Sequence, residues 1–432
     1  MKRREMLRVL AGAGMGVGAV TGPMAGMTPV VAESSPVTED SIGTGGPPEA
    51  DTSTGATGET TNGVADPTAA PGSVVVSEPG GVTDSGVCSF TPVDHGGALL
   101  NPDMGWTMHY YSNITTNYGS KLAPSDTLDW FEGCSTIYLR LPWAYLEPEE
   151  GVFNWSIVDG PAQRWIAKGR KIAFRFTTSE SWLEYATPEW VEAAGAEMVR
   201  YRFGEGPTTE GNLCDPVYDD PIFLEKLERF LAAAGARYNG NPDVAFIDVG
   251  TFGTWGEGHT FMASRLSEER NGECAKIHAD LHRKYFPDVQ LCISDDVIGH
   301  NRPGADFPLM EYFRTQNISL RDDSILVQPE PNSWYHAELA QKFWPEWPVI
   351  LEHEHLGGSI QRGAWNDELL VKAVEDYHAS YMSIHWWPQI EWEKLHQTVR
   401  RINRRMGYRI QLRNVTWPET ITVDEPFEVT HR

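Results

Sequence analysis

The chain has 432 residues, of which 41% are hydrophobic and 16 are Trp, enough to bury a large core. Its 60 Asp and Glu against 35 Lys and Arg give a formal charge of −25. A field of that sign repels nucleic acid and anionic membranes and excludes both as partners; composition leaves the oligomeric state open. The scarcity of lysine and the evenly spread acids fit a surface that stays hydrated in concentrated salt.

Residues 1–32, "MKRREMLRVLAGAGMGVGAVTGPMAGMTPVVA", place Arg3 and Arg4 ahead of a weakly apolar Gly/Ala run that ends in small residues. This resembles a twin-arginine signal peptide and implies an extracellular product. Residues 33–86 are rich in Thr, Ser, Gly, Pro and acids and carry no aromatic side chain. Such a segment cannot bury enough apolar area to offset its ordering entropy, so it reads as a disordered linker. Cys88, Cys134, Cys214, Cys274 and Cys292 are an odd number without metal-site spacing, and at least one stays unpaired.

From residue 87 to 405, apolar runs of strand length alternate with longer helical patterns, which argues for βα units around a parallel sheet. Eight strands are predicted, at 104–111, 135–143, 171–179, 244–253, 289–296, 324–331, 347–355 and 381–387. A helix is predicted where Ile222, Leu224, Leu227, Phe230 and Leu231 recur at 3.6-residue spacing. Eight such units fit an α/β fold of the (β/α)8 TIM-barrel type. A doubly wound sheet would want a Gly-rich phosphate turn after its first strand, and the sequence has none there. Residues 406–432 alternate like two strands and predict the beginning of a C-terminal β-sandwich.

In a barrel of this kind functional side chains stand at the C-terminal ends of the strands. Polar residues gather there: Arg140 on the second strand, Arg175 and Glu180 on the third, Glu257 after the fourth, and Asp295 and Asp296 on the fifth. Gln328 and Glu330 fall on the sixth, Glu352 and Glu354 on the seventh, and His385, Trp386 and Trp387 on the eighth. Indoles stack on the apolar faces of sugar rings and carboxylates bond their hydroxyls, so this mixture predicts a carbohydrate cleft. Glycoside cleavage needs a proton donor and a second carboxylate.

Glu257 in "FGTWGEGH" is one candidate. Gly253, Gly256 and Gly258 allow a sharp turn and close substrate approach, Trp255 offers an apolar wall that raises the acid's pKa, and His259 can orient it. In "PVILEHEHLGG" the two-residue period puts Glu352 and Glu354 on one face and His353 and His355 on the other. Either glutamate could be the nucleophile, and Glu352 is favoured because it ends the apolar run.

"LRLPWAYLEPEEGVFNWSIVD" with "WIAKGRKIAFRF" resembles the second and third βα units of clan A glycoside hydrolases, notably the family 42 β-galactosidase type. There an arginine precedes a Trp, here Arg140 and Trp143, followed by Glu-Pro, a Gly and an aromatic-rich turn, and both are expected to bind substrate. "ILEHEHLGGSIQRGAW" is similar to that family's nucleophile segment, with its glutamate at Glu352. The region from about 90 to 405 also looks like secreted barrels of the DUF4832 type. The resemblance implies retaining hydrolysis of a poly- or oligosaccharide without metal or organic cofactor. Glu257 would be the acid/base, Glu352 the nucleophile, Arg140 the nucleophile's neighbour, and Trp386 or Trp387 the sugar platform.

The sequence departs from the clan in placing Gly256, not asparagine, before the acid/base, which keeps a non-catalytic saccharide-binding barrel as the alternative. A metal-dependent hydrolase using His259, His353, His355, Asp295 and Asp296 is a further alternative.

Overall fold

The computed structural model describes residues 86–298, 308–326 and 335–432; the segments expected to be a signal peptide (1–32) and, but for residue 86, a linker (33–86) lie outside this range. The described residues fall into two compact units, 96–409, and 86–95 together with 410–432.

The larger unit is a closed (β/α)8 TIM barrel of eight strands. They are β1 (Gly105–Ser112), β2 (Cys134–Pro142), β3 (Lys171–Thr177), β4 (Val244–Asp248), β5 (Leu291–Ser294), β6 (Ile318–Ile325), β7 (Val349–His353) and β8 (Ala379–Ile384). Each strand pairs in parallel with the next, and β8 pairs back onto β1 through Tyr381–Gly105 to Ile384–Met108.

The two-residue period of the strands sorts their side chains. Ile137, Leu139 and Leu141 of β2 and Ile172, Phe174 and Phe176 of β3 join the shell between sheet and helices. Tyr138, Ala173, Phe246, Cys292, Ile350 and Tyr381 fill the barrel interior. Two residues further along these strands stand Arg140, Arg175, Asp248 and Glu352, all buried, so the barrel filling changes from apolar to charged within one layer.

The outer ring comprises α1 (Ser156–Ile166), α2 (Pro221–Tyr238), α3 (Glu268–Tyr285), α4 (Pro308–Thr315), α5 (Ala337–Phe343), α6 (Asp367–Asp376) and α7 (Pro388–Ile402). The Asp220 carboxylate caps α2 by accepting from the Ile222 and Phe223 amides, 2.9 and 2.8 Å away, and Phe223, Leu227, Phe230 and Leu231 are buried as their spacing predicts. Between β1 and β2 a single 3-10 turn, Tyr118–Lys121, stands where a helix is expected. Between β3 and α2 the chain adds a small antiparallel sheet of Met198–Arg202, Gly206–Pro207 and Leu213–Pro216.

The sixth strand lies earlier than 324–331. It ends at Ile325, where Ser324 and Leu326 adopt left-handed φ of 60° and 72° that break the extended chain. The strand was obscured because Arg321, Asp322 and Asp323 on it are all buried charges, leaving no apolar run to mark it.

In the smaller unit Val87–Phe90 pairs antiparallel with Val415–Pro418, Cys88 opposite Trp417, and Val415–Thr416 pairs with Thr430–His431. The tail strands thus share a sheet with a strand from ahead of the barrel. All five cysteines are free thiols, four of them buried. Among the described residues no helix is long and apolar enough to cross a membrane.

Candidate active site

A line of alternating buried charges crosses the interior. Arg175 of β3 donates to Glu257 at 2.9 Å and to Asp248 of β4 at 3.1 Å. Arg321 of β6 lies 3.4 Å from the same Asp248 oxygen and ion-pairs with Glu352 of β7. Asp248 is thus the joint between two guanidiniums, each of which reaches one of the two candidate catalytic glutamates. The Tyr138 hydroxyl donates to Asp248 as well. Among the described residues this joint is what the sequence reading lacks entirely: Asp248 ends an apolar run, and Arg321 sits on the mislocated strand.

Glu257 and Glu352 are both buried, at 6% and 3% exposure, yet their surroundings drive them apart. Burial and then the Asp323 carboxylate push the Glu257 carboxyl up to about 8, against the pull of Arg140 and Arg175. Burial also disfavours ionised Glu352, but the Arg321 guanidinium outweighs it and, with the hydrogen bond to His109, holds the carboxyl well below the usual range. His109 Nε2 lies 3.1 Å and His385 Nδ1 3.6 Å from the Glu352 oxygens. Burial lowers His109 to about 4 and holds His385 well below its ordinary value, so both face the carboxylate as neutral imidazoles. The two carboxyls are thus shifted in opposite directions.

The glycines of "FGTWGEGH" do what the turn requires. Gly253, Gly256 and Gly258 have φ of 79°, 73° and 85°, and a Cβ on Gly256 would stand 2.4 Å from the Gly250 carbonyl oxygen. The space they save is taken by the protein's own backbone, not by room for substrate. The Trp255 carbonyl accepts from Arg140 at 2.9 Å and Arg175 at 3.1 Å, tying the turn to the same cations that hold Glu257. His259 Nε2 lies 3.1 Å from Asp296 and 3.8 Å from Glu257. Burial opposes its protonation, but Asp296 dominates and raises the imidazole to about 9.

Other predicted residues separate into those at the site and those away from it. Arg140 pairs with Glu257 at 3.0 Å, not with Glu352, whose guanidinium partner is Arg321. Asp295, fully buried, takes His336 Nδ1 at 2.6 Å. Trp386, tilted, and Trp387, edge-on, pack around Tyr118 at 5.5 and 5.7 Å, and Gly357 leaves the space that the Trp386 ring occupies. The Tyr118 hydroxyl bonds His355, whose ring lies 3.9 Å from His385. Trp143 is no sugar platform: it is fully buried outside the barrel against Trp190, Phe223 and Phe230, and its indole donates to Glu147 at 2.8 Å. Gln328 lies outside the described residues.

The alternation along 352–355 fails after His353, where β7 ends. Glu352 points into the barrel, while Glu354 turns outward to Arg362 at 3.0 Å, so of the two only Glu352 faces the barrel interior. His353 faces outward, 3.1 Å from Glu391 of α7, and is not beside His355. The five-residue metal set read from the sequence is therefore not assembled. His109, Glu352 and His385 do converge, as do Asp295, Asp296 and Asp323. In the first group the Arg321 guanidinium already occupies the Glu352 oxygen that faces His109, which disfavours a second cation.

Residues 132–251 match the family described as beta-galactosidase, glycoside hydrolase family 42. No curated protein sequence matches the chain significantly. Among solved structures, the catalytic domain of beta-amylase from Paenibacillus polymyxa is similar with TM-score 0.52 and 11% identity, over 71% of this chain and 100% of that one. Endo-glycoceramidase II from Rhodococcus sp. has TM-score 0.41 and 13% identity, over 68% of this chain and 74% of that one. This chain is thus a TIM barrel that resembles, over its second to fourth strands, a family of glycoside hydrolases.

Proposed function

We propose that this protein is a glycosidase that cleaves a poly- or oligosaccharide by the retaining route. The observation that carries the reading is the geometry of two buried glutamates, each paired with a buried arginine and linked through Asp248; the opposite directions in which their carboxyls are shifted agree with it. The family match over 132–251 supports the same reaction class. Glu257 gives its proton to the leaving oxygen while the Glu352 carboxylate attacks the anomeric carbon, forming a glycosyl ester and releasing the alcohol. Glu257, now a carboxylate, takes a proton from water as that water attacks the ester, which regenerates both groups. Neutral His109, 3.1 Å from one Glu352 oxygen, keeps that oxygen aligned.

Residues 1–32 support export by the twin-arginine route, and the −25 charge supports a neutral carbohydrate over an anionic polymer as partner. The test is a panel of aryl glycosides and polysaccharides at low and high salt, with Glu352→Gln and Glu257→Gln beside the wild type. Turnover in the wild type and its loss in Glu352→Gln is expected; undiminished turnover in that variant removes Glu352 from the role.

One observation favours a second reading, a saccharide-binding barrel without turnover. The position before Glu257 has no room for a side chain, since a Cβ on Gly256 meets Gly250, so the clan's asparagine cannot be accommodated there. A binder would keep its affinity in Glu257→Gln and show no turnover in any form.

A further inference from the structure

The aromatic rings around the two glutamates form two separate sets. His109, His385, Tyr118 and Trp386 gather on the side of Glu352. On the side of Glu257 the ring of Phe203 lies 5.7 Å from that of Trp255, and His259 stands edge-on between Trp255 at 5.5 Å and Phe261 at 5.6 Å. Phe203 comes from the small sheet inserted between β3 and α2, and Phe261 from the loop after the glycine turn. Both pack against one core of Tyr201, Leu213, Met262 and Ala263. Phe203, Trp255 and Phe261 are each only partly buried.

Trp255 is held there against its backbone preference. Its φ is 60°, a region that a bulky side chain adopts only under constraint, in a turn whose other left-handed positions are glycines. The constraint is visible: its amide donates to the Ser179 carbonyl at 2.9 Å, its carbonyl accepts from Arg140 and Arg175, and its indole N–H donates to Ser181 Oγ at 3.0 Å. A glycine would remove the strain and the ring together, so the ring is what the strain maintains.

We infer that Trp255, Phe203 and Phe261 form a leaving-group subsite, a wall that stacks on the apolar face of the sugar ring departing from the scissile bond. The inference rests on the glycosidase reading: a proton donor must lie beside the leaving oxygen, so the rings that flank Glu257 and not Glu352 meet the departing half. The inserted sheet, which brings Phe203, is then the element that sets selectivity for what is released.

The test compares glycosyl fluorides of galactose, glucose, xylose and mannose, whose leaving group is one atom, with disaccharides of the same sugars. In Phe203→Ala the ratio of kcat/KM for disaccharide to kcat/KM for fluoride falls about tenfold, and Phe203→Tyr, which keeps a stacking face, retains it. A ratio that stays constant in Phe203→Ala, whether both rates fall or neither does, overturns the inference while leaving the glycosidase reading intact. A wild type that turns over neither substrate class overturns both.

Discussion

Replacing Arg321 with Met removes the cation between two buried carboxylates and keeps most of the side-chain volume. Arg321 and Glu352 are each almost fully buried and ion-paired, with Asp248 on the other edge of the guanidinium. Removing one member of a buried pair costs about 3–5 kcal/mol, because the remaining charge is left uncompensated. If roughly half of that falls on Glu352, its carboxyl rises by about one to two pH units, at 1.36 kcal/mol per unit. In the wild type the depressed Glu352 contributes stability that is present above the ordinary carboxylate pKa and is lost as pH falls through its lowered folded value. Urea unfolding at pH 7 should therefore show Arg321→Met about 3–5 kcal/mol less stable, and the acid limb of kcat/KM should move upward. Arg321→Lys keeps the charge and should shift both by less, which guards against a variant that fails to fold. A loss below about 1 kcal/mol with an unmoved acid limb would refute the idea that this guanidinium holds Glu352 ionised.

Trp143→Ala should cost about 3–5 kcal/mol of stability by calorimetry or urea titration and leave KM for any turned-over substrate unchanged, because its ring lies in the outer core. Gly256→Ala should destabilise by about 1–3 kcal/mol in thermal unfolding, since the residue has φ of 73° and no space for a Cβ; turnover should fall with it because the same turn carries Glu257. The buried His353 is raised above its ordinary value because Glu391 outweighs burial. That contribution is full below the unfolded histidine pKa of about 6.5 and fades as pH rises through the higher folded value, so wild-type stability should drop as pH rises above that point more steeply than that of His353→Gln.

The fold was legible where strands bury apolar side chains toward the helices, because β2, β3 and β7 each give a run of Ile, Leu, Val or Phe at every second position. Glu352 was legible for the same reason: it closes such a run at the barrel mouth. β6 was not, since Arg321, Asp322 and Asp323 make a buried strand look like a surface loop and interrupt its apolar residues Ile318, Leu320 and Ile325. Trp143 was misplaced because the string around it fixes the chain order but not which side of the sheet the helix start faces. Arg140 was assigned to the wrong glutamate: adjacency around a barrel depends on side-chain length and on the turn after β4, which returns the Trp255 carbonyl and Glu257 to the same guanidinium. No spacing in a single sequence records that.

The claim at the centre of this account is that Glu352 is the charged nucleophile and Glu257 its protonated counterpart. It is tested most directly by incubating the protein with an activated 2-deoxy-2-fluoro glycoside of a sugar it hydrolyses and mapping the adduct by peptide mass spectrometry. The account predicts one sugar on the peptide containing Glu352, with none on that peptide in Glu352→Gln. An adduct on Glu257, or time-dependent inactivation with Glu352 unmodified, would contradict it.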